Sequence, residues 1–397
     1  MTLRHGLELV AIPGPSILPE RVRAELSRPM PNIYDGELVE TSDRVLARLP
    51  GIARTSGHGF ITIGNGHAAW QMSIDNLLVP GDKVLVLESG AFAVFWGECA
   101  AAAGIEVEVL PGDRRGPVDI EALHERLLAD DGSISAILVA HTDTASSVRN
   151  DIAELRKAID RAEHKALLMV DAIASIGAEE FEMDEWGVDV TIGASQKGLM
   201  CPPGVSFVWA GDKALARYEE LPASRPHSAS SDWAHRITPE AVYRSYAGTP
   251  PVMHLRALDV AFDMIDEEGG LPAVWARHQV LSNAVRSAVE TWSTPGGIDF
   301  NITDPAFRSN AVTTVKTGSI DAVELGRICQ ERFGVTIGIG LANAQESTFR
   351  IGHMGHLNPP MVLGALGSIE AALVAMGSPI GGSGVAAASA VIGSASK

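Results

Sequence analysis

Short apolar runs alternate with longer amphipathic stretches through the middle of the chain. Several of the runs are continuous instead of alternating with polar residues, as is typical of strands in a sheet covered on both faces. They occupy residues 83–90, 105–112, 135–143, 166–172, 188–195 and 204–211. Helical spacing occurs between them, for example at 118–131 and 151–164. This alternation predicts an α/β fold with a mostly parallel sheet flanked by helices.

The pattern changes in the second half of the chain. Residues 212–255 are irregular and are predicted to be largely loop, whereas 251–270 have the spacing of a long helix. Shorter strands are predicted further on, at 309–317, 334–340 and 348–355. These elements predict a second, smaller α+β domain.

These patterns divide the chain into four parts. The last part is rich in Gly, Ala and Ser, and we expect it to be loosely ordered. The parts are an N-terminal segment packing on the small domain (1–20), a large domain (21–270), a small C-terminal domain (271–375) and the tail (376–397).

Composition and charge exclude several classes of protein. The 397 residues suit two domains, and 46% apolar with 20% charged residues is ordinary globular usage. The formal charge of −18 argues against nucleic acid or an anionic membrane as partner. No apolar run approaches the roughly 20 residues of a membrane span. Cys99, Cys201 and Cys329 lack metal-ligand or disulfide spacing, so we expect a soluble protein in a reducing, cytoplasmic setting.

Lys197 follows a predicted strand, in the stretch TIGASQKGLMCPPG. Ligands bind beyond the carboxyl ends of strands in sheets of this kind. Its small neighbours Gly193, Ala194 and Gly198 leave room for a planar ring, and partial burial would lower the pKa of the amine. Lys197 is therefore a candidate for covalent attachment of a cofactor, with a solvated loop lysine as the alternative.

Asp171 ends the predicted strand in KALLMVDA. A carboxylate that emerges from an apolar strand needs a partner. One candidate is the protonated ring nitrogen of pyridoxal phosphate, which the acid keeps electron-withdrawing. A helix N-cap or a loop salt bridge is the alternative for this position taken alone.

The stretch GNGHAAW, residues 64–70, combines a glycine-containing turn with the start of a helical pattern. Backbone N–H groups at a helix start, together with Asn65 and His67, suit a phosphate group, although an ordinary turn would look the same. Ala69 replaces the third glycine of the dinucleotide-binding pattern.

Two further candidates would serve a ring and a carboxylate. Phe92, in SGAFAVFW, could lie flat on an aromatic ring or simply pack in the core. Arg350, in TFRIGHMG, could bind an amino- or keto-acid carboxylate in bidentate fashion or form a structural salt bridge. His353 and His356 have no accompanying Cys or carboxylate cluster, so we predict no metal site.

Ten stretches, taken in order along nearly the whole chain, resemble the class V aminotransferases of the pyridoxal-phosphate fold type I superfamily. They are most similar to the alanine/serine/aspartate–glyoxylate group. The stretches are IPGPSILPE, GNGHAAW, PGDKVLV, HTDTASS, MVDAIASIG, DEWGVDVTIGASQKG, CPPG, YAGTPP, AVWARH and FRIGHMG.

The resemblance implies a role for each matching residue. Lys197 would form the Schiff base and Asp171 would hold the pyridine nitrogen. The remaining implied contacts are with the phosphate (Asn65, Gly66, His67, Gln196), the ring (Phe92), the phenolic oxygen (Thr144), the neighbouring subunit's cofactor (Tyr246, Thr249) and the substrate (Arg350, Tyr34). It also implies that residues 21–270 bind pyridoxal 5'-phosphate.

The implied activity is transfer of an amino group from serine, alanine or aspartate to a small 2-oxo acid, above all glyoxylate, by a homodimer or a dimer of dimers. Some residues depart from the family pattern: HTDTASS has Asp143 for Glu and Ser147 for Gly. Together with Tyr34-Asp35 and RIGHMG, the Asp143-Thr144 pair resembles pyridoxamine–pyruvate aminotransferase. That relative, which acts on the unphosphorylated vitamer, gives the alternative function.

Three other classes are weighed against an aminotransferase. A nicotinamide dehydrogenase would share the alternating sheet, but the glycine fingerprint is missing. A cysteine desulfurase needs a reactive loop cysteine, and none of the three cysteines is convincingly placed. A non-catalytic binding module would not need Lys197.

Overall fold

Two β-sheets organise the computed structural model, which describes residues 2–222, 224–225, 227–341 and 344–395. The strands are β1 (Leu9–Ala11), β2 (His58–Gly64), β3 (Lys83–Leu87), β4 (Glu106–Leu110), β5 (Ile134–Ala140), β6 (Leu167–Asp171), β7 (Val190–Ala194), β8 (Gly204–Ala210), β9 (Asp299–Phe300), β10 (Val312–Lys316), β11 (Val335–Ile339) and β12 (Thr348–Gly352). The helices are α1 (Glu20–Glu25), α2 (Glu37–Ala53), α3 (Gly66–Leu77), α4 (Phe92–Ala102), α5 (Ile120–Leu128), α6 (Ile152–Arg161), α7 (Asp212–Glu220), α8 (Val252–Glu268), α9 (Leu271–Trp292), α10 (Ala322–Phe333), α11 (Pro359–Ala375) and α12 (Gly384–Ala395).

The larger sheet has seven strands in the order β2-β8-β7-β6-β5-β3-β4. Its five strands from β7 to β4 are parallel, while β8 runs antiparallel to both β7 and β2. Every residue of β6 is buried, and successive residues point into different cores: Leu168 and Val170 into one, Leu167 and Met169 into the other. The predicted sheet with two covered faces is thus confirmed. Its carboxyl edge collects the loops that carry the candidate residues.

The smaller sheet has the order β1-β11-β12-β10-β9, and the N-terminal strand β1 pairs in parallel with β11. Helices α9, α10 and α11 cover it, and its core includes Trp292, Phe349 and Leu366. The region 212–255, predicted to be irregular, begins with α7 and contains a 3₁₀ turn at Val242–Tyr246.

The expectation of a loosely ordered tail was wrong for residues 384–395, which form α12. This helix packs on α9 and α11 because its residues are small. A Cβ atom at Gly384 would lie 2.5 Å from Nε1 of Trp292, so glycine permits the close approach. That indole nitrogen donates to Glu370 at 2.8 Å, and Val385 N donates to the same carboxylate at 3.2 Å. The small apolar residues of this segment form a packing surface, which its composition alone did not predict.

A helix that crosses a bilayer needs about 20 predominantly apolar residues. Over the part of the chain that the structure describes, no helix combines the necessary length and apolar character.

Candidate active site

The turn after β7 fixes the backbone of Lys197 from two sides. Ser195 N donates to Val205 O at 3.1 Å, which joins the turn to β8. From the N-terminal segment, Ser16 N donates to Gln196 O at 2.9 Å and Ser16 Oγ donates to Lys197 O at 2.7 Å. The N-terminal segment, whose strand β1 belongs to the smaller sheet, therefore takes part in holding the turn.

The Lys197 side chain lies against the N-terminal segment, where its Nζ donates to the carbonyl oxygen of Pro13. A Cβ atom at Gly14 would lie only 2.6 Å from Cδ of this lysine, so a side chain there would displace it. Burial lowers the pKa of the Lys197 amine to about 8, and Arg350 acts in the same direction. An amine with such a pKa is partly neutral near physiological pH, as a nucleophile or a general base must be.

Asp171 ends β6 and is 3% exposed. Its Oδ1 accepts a hydrogen bond from Ile173 N at 2.8 Å, and its Oδ2 accepts one from Trp70 Nε1 at 2.9 Å. Burial raises the pKa of this carboxyl to about 7, although both hydrogen bonds oppose the shift. A ring cation brought beside the carboxyl would favour its ionised form.

The N-terminus of α3 carries a second group of the candidate residues. Asn65 caps the helix, its Oδ1 accepting from His67 N at 3.1 Å. The side-chain oxygen of Gln196 is buried, and no hydrogen-bond partner for it lies among the described residues. Rotation of that amide would present its NH₂ group instead, which suits a phosphate oxygen. The imidazole of His67 lies 4.5 Å, centroid to centroid, from Trp70.

Asp143 joins two loops that form the cavity wall. Its Oδ2 accepts from Phe92 N at 2.7 Å, and its Oδ1 accepts from Ala145 N at 2.8 Å. A Cβ atom at Gly90 would lie 2.0 Å from the Asp143 carboxyl carbon, so glycine makes room for the carboxylate. Burial raises the pKa of this carboxyl, and the backbone N–H groups oppose the shift. Asp143 therefore holds Phe92 and Thr144 in place instead of facing the cavity itself.

Arg350 lies on β12 and connects the smaller sheet to the loop after β5. Its Nη1 donates to Thr144 O at 2.9 Å and its Nε donates to Ile339 O at 2.8 Å. The side chain is largely buried, which lowers the pKa of the guanidinium to about 10, so it remains a cation at neutral pH. N–H groups beyond these two bonds can bind a carboxylate.

Two adjoining cavities receive these side chains. The first, of about 330 Å³, is lined by Gly14, Pro15, Asn65, Gly66, His67, Trp70, Phe92, Thr142, Thr144, Asp171, Ile173, Ala174, Gln196, Lys197 and Pro203. The second, of about 610 Å³, contains Arg350 and shares Gly14, Phe92, Thr144 and Lys197 with the first. The first cavity fits pyridoxal phosphate: a titratable carboxyl and an amine both line it, together with the N-terminus of α3 and the Gln196 amide, whose oxygen has no partner among the described residues.

Three predicted contact residues lie away from both cavities. Tyr34 is 76% exposed, and Thr249 is also exposed. Tyr246 is buried, with its hydroxyl group hydrogen-bonded to Ser42 Oγ at 2.7 Å. The roles expected of Tyr246 and Thr249 involve a neighbouring subunit, and all three roles remain predictions.

One of the two histidines considered for a metal, His353, has other hydrogen-bond partners. His353 is fully buried, with Nε2 beside Thr313 Oγ1 at 2.9 Å and Nδ1 beside Asn310 O at 2.8 Å. Within residues 2–395, apart from the undescribed 223, 226, 342 and 343, no three His, Cys, Asp or Glu side chains cluster in a way that could hold a metal ion.

Sequence reasoning missed two parts of the site. One is the indole of Trp70, which donates to Asp171. Trp70 lies in the stretch GNGHAAW, four residues after Gly66, and this helical spacing could have placed it on the same side of the helix as the candidate residues. The other is the carbonyl of Pro13, which approaches Lys197 only because the N-terminal segment folds back over the turn. No local pattern reveals such a long-range contact.

Comparisons with known proteins agree with this geometry. The family model described as aminotransferase class-V matches residues 57–358. The serine–glyoxylate aminotransferase of Arabidopsis thaliana is 35% identical over 390 residues, covering 97% of this chain and 94% of that protein. The L-aspartate–glyoxylate aminotransferase of Paracoccus denitrificans is 34% identical, covering 96% and 94%. Pyridoxamine-pyruvate aminotransferase from Mesorhizobium loti has a similar structure, with a TM-score of 0.87, 26% identity and coverage of 99% and 100%.

Proposed function

This chain belongs to the class V aminotransferases and is a pyridoxal-phosphate-dependent transaminase, and we propose that it transfers the amino group of serine, alanine or aspartate to glyoxylate. The relatives that act on glyoxylate cover nearly the whole chain. The single observation that carries the proposal is that Lys197 and Asp171 line one cavity while Lys197 and Arg350 line the adjoining one.

Pyridoxal phosphate, when bound, supplies an aldehyde that condenses with amines and a ring that withdraws electrons. Asp171 would hold the ring nitrogen, and the α3 N-terminus with Gln196 would hold the phosphate. Phe92 and Thr144 line the same cavity and would contact the ring and its phenolic oxygen. Gly66 keeps this end open, since a Cβ atom there would lie 2.4 Å from Cδ1 of Ile173.

Lys197 is the group that moves protons. Its amine, with a pKa lowered to about 8, accepts the α-proton of the amino acid and returns a proton in the reverse half of the reaction. The Pro13 carbonyl and the room left by Gly14 position the amine. Arg350 binds the substrate carboxylate with its remaining N–H groups and thereby orients the α-carbon toward Lys197.

The alternative activity uses pyridoxamine and pyruvate. The similarity of this fold to the Mesorhizobium loti enzyme favours it. The cavity end formed by Asn65, His67 and Gln196 instead suits a phosphorylated cofactor, which is why glyoxylate transamination is the first proposal.

The burial of this chain's own cysteine thiols argues against a cysteine desulfurase. Cys201 and Cys329 are buried, and burial raises the pKa of both. Cys99 is half-buried in α4, and its thiol pKa is also raised by burial. A reactive thiol needs the opposite shift.

We also propose that the enzyme is a homodimer, or a dimer of dimers, whose Tyr246 and Thr249 complete the neighbouring phosphate site, and that it works in the cytoplasm. Sedimentation would measure the assembly. Replacing Thr249 by Ala should weaken the binding of pyridoxal phosphate through its phosphate group. A monomer that is active would contradict the proposed dimer.

The function is tested by separate half-reactions. The purified yellow enzyme is mixed with serine, alanine, aspartate or pyridoxamine, and the loss of the cofactor's visible absorbance is followed. Glyoxylate or pyruvate is then added to restore it. We expect an amino acid to bleach the enzyme and glyoxylate to restore it. Bleaching by pyridoxamine alone, reversed only by pyruvate, would select the alternative, and a lack of response to every donor would reject both.

A further inference from the structure

The second cavity continues past Lys197 along α10 and β11. One face of α10 lines it with Val323, Gly326 and Gln330, residues that follow one another at helical spacing. The facing wall is β11. Because Arg350 and Lys197 both line this cavity, it is an extension of the active site, which we call the side-chain channel.

The channel is larger than the proposed substrates need. Its volume is about 610 Å³, against about 330 Å³ for the cavity that fits the cofactor. At roughly 30 Å³ per water-sized group, the five non-hydrogen atoms of glyoxylate fill about a quarter of it. Serine, with seven, fills about a third.

Beyond Lys197 and Arg350, most residues that line the channel are apolar, although the polar side chains of Thr144, Gln330 and Thr336 lie among them. Val323 is 47% exposed and Ile339 is 45% exposed, so both present apolar surface to any occupant. Arg327 also lines the channel, but it is paired with Glu324 at 2.7 Å and with Glu331. The two carboxylates offset its charge, so away from Arg350 and Lys197 the channel offers mainly apolar contact.

We propose that this transaminase also accepts an amino acid with a long, uncharged side chain, which lies in the channel while its carboxylate binds Arg350. This inference rests on the proposed function and extends its substrate class to amino acids with longer, straight side chains. Gly326 is the residue that keeps the channel open. A Cβ atom there would be 3.9 Å from Cγ1 of Ile337, an ordinary contact, so the first side-chain atom fits and the further atoms of a larger residue would occupy space between α10 and β11.

The test uses unreactive probes, so that binding is measured apart from turnover. The holoenzyme is titrated calorimetrically with straight-chain carboxylates from propionate to heptanoate. Affinity should rise about fourfold per methylene from butyrate to hexanoate, as burial of a CH₂ group predicts. The Gly326→Leu variant should bind propionate normally and lose this increase. Gly393→Leu on α12, where a Cβ atom meets nothing within 4 Å, is the matched control and should behave as the wild type.

Ile339→Ser gives a second test, because the bond from Arg350 to this residue uses only its backbone oxygen. This variant should halve the increase in binding free energy for each added methylene group. The channel is rejected if affinity does not increase with chain length, or if Gly326→Leu weakens propionate as much as hexanoate. Failure of every donor in the half-reactions would reject the transaminase proposal separately, since carboxylate binding does not depend on turnover.

Discussion

The two walls of the active site are built differently. The wall around Asp171 comes from the ends of β6 and β7, strands whose residues are all buried in the core of the larger sheet. The wall around Arg350 comes from the smaller sheet and α10, where Val323 and Ile339 remain exposed. A carboxyl with a pKa of about 7 requires full burial, whereas a substrate needs an open approach. The first wall therefore determines the chemistry, and the second determines which substrate reaches it.

Lys197 stands between the two walls, and its loss should have the largest effect. Replacing it by Ala removes the amine that moves the α-proton, so kcat should fall by about 10,000-fold. Steady-state rates with alanine and glyoxylate would measure this. Lys157→Ala is the control, since that lysine pairs with Glu154 at 2.6 Å on the surface. Turnover within tenfold of the wild type would contradict the assignment.

The burial of the first wall should appear in the stability of the cofactor-free protein. The pKa of Asp171 is raised from 3.8 to about 7, so the folded protein binds more protons than the unfolded chain between these values. Its contribution to stability is present in full below about pH 4 and is lost as the pH rises to about 7, by about 4 kcal/mol at most. The Asp171→Asn variant should lack this loss.

Denaturant unfolding at pH 5 and pH 7.5 would compare the two proteins. The difference in unfolding free energy between Asp171→Asn and the wild type should grow with pH. An unchanged difference would mean that the carboxyl is ionised throughout, and that the wall is more polar than the structure indicates.

The second wall should respond to the shape of its cation. Replacing Arg350 by Lys keeps a positive charge but removes the bonds to Thr144 O and Ile339 O and the bidentate grip on a carboxylate. We expect kcat/KM to fall by about 100-fold, or roughly 3 kcal/mol, mainly through KM. Arg44→Lys on the surface is the control. An equal fall in kcat/KM with an amine donor that lacks a carboxylate would show that Arg350 contributes only to the stability of the fold.

The sequence predicted the first wall better than the second. The continuous apolar runs located β3 to β8, and their ends placed Lys197, Asp171 and Thr144 at one edge of the sheet. Strand β1 has only three residues and is a strand only because it pairs with β11, more than 300 residues away in sequence. The contacts of Pro13 with Lys197 and of Arg350 with Thr144 likewise join distant segments. Periodicity reports local burial, so it could not reveal such contacts.

The smallest expected effect concerns Ser147, where the two walls are joined. This residue has a φ of 66°, in the left-handed region, and stands where the family pattern has glycine. Its Oγ accepts from Thr314 N of β10 at 3.0 Å. Ser147→Ala should lower the unfolding free energy by about 2 kcal/mol, because the buried N–H loses its partner while the backbone strain persists. Ser147→Gly should cost about 1 kcal/mol less, since glycine adopts this φ freely. Urea unfolding of both variants isolates the strain. If the two variants are equally stable, strain at this position is negligible and the hydroxyl group alone accounts for its contribution.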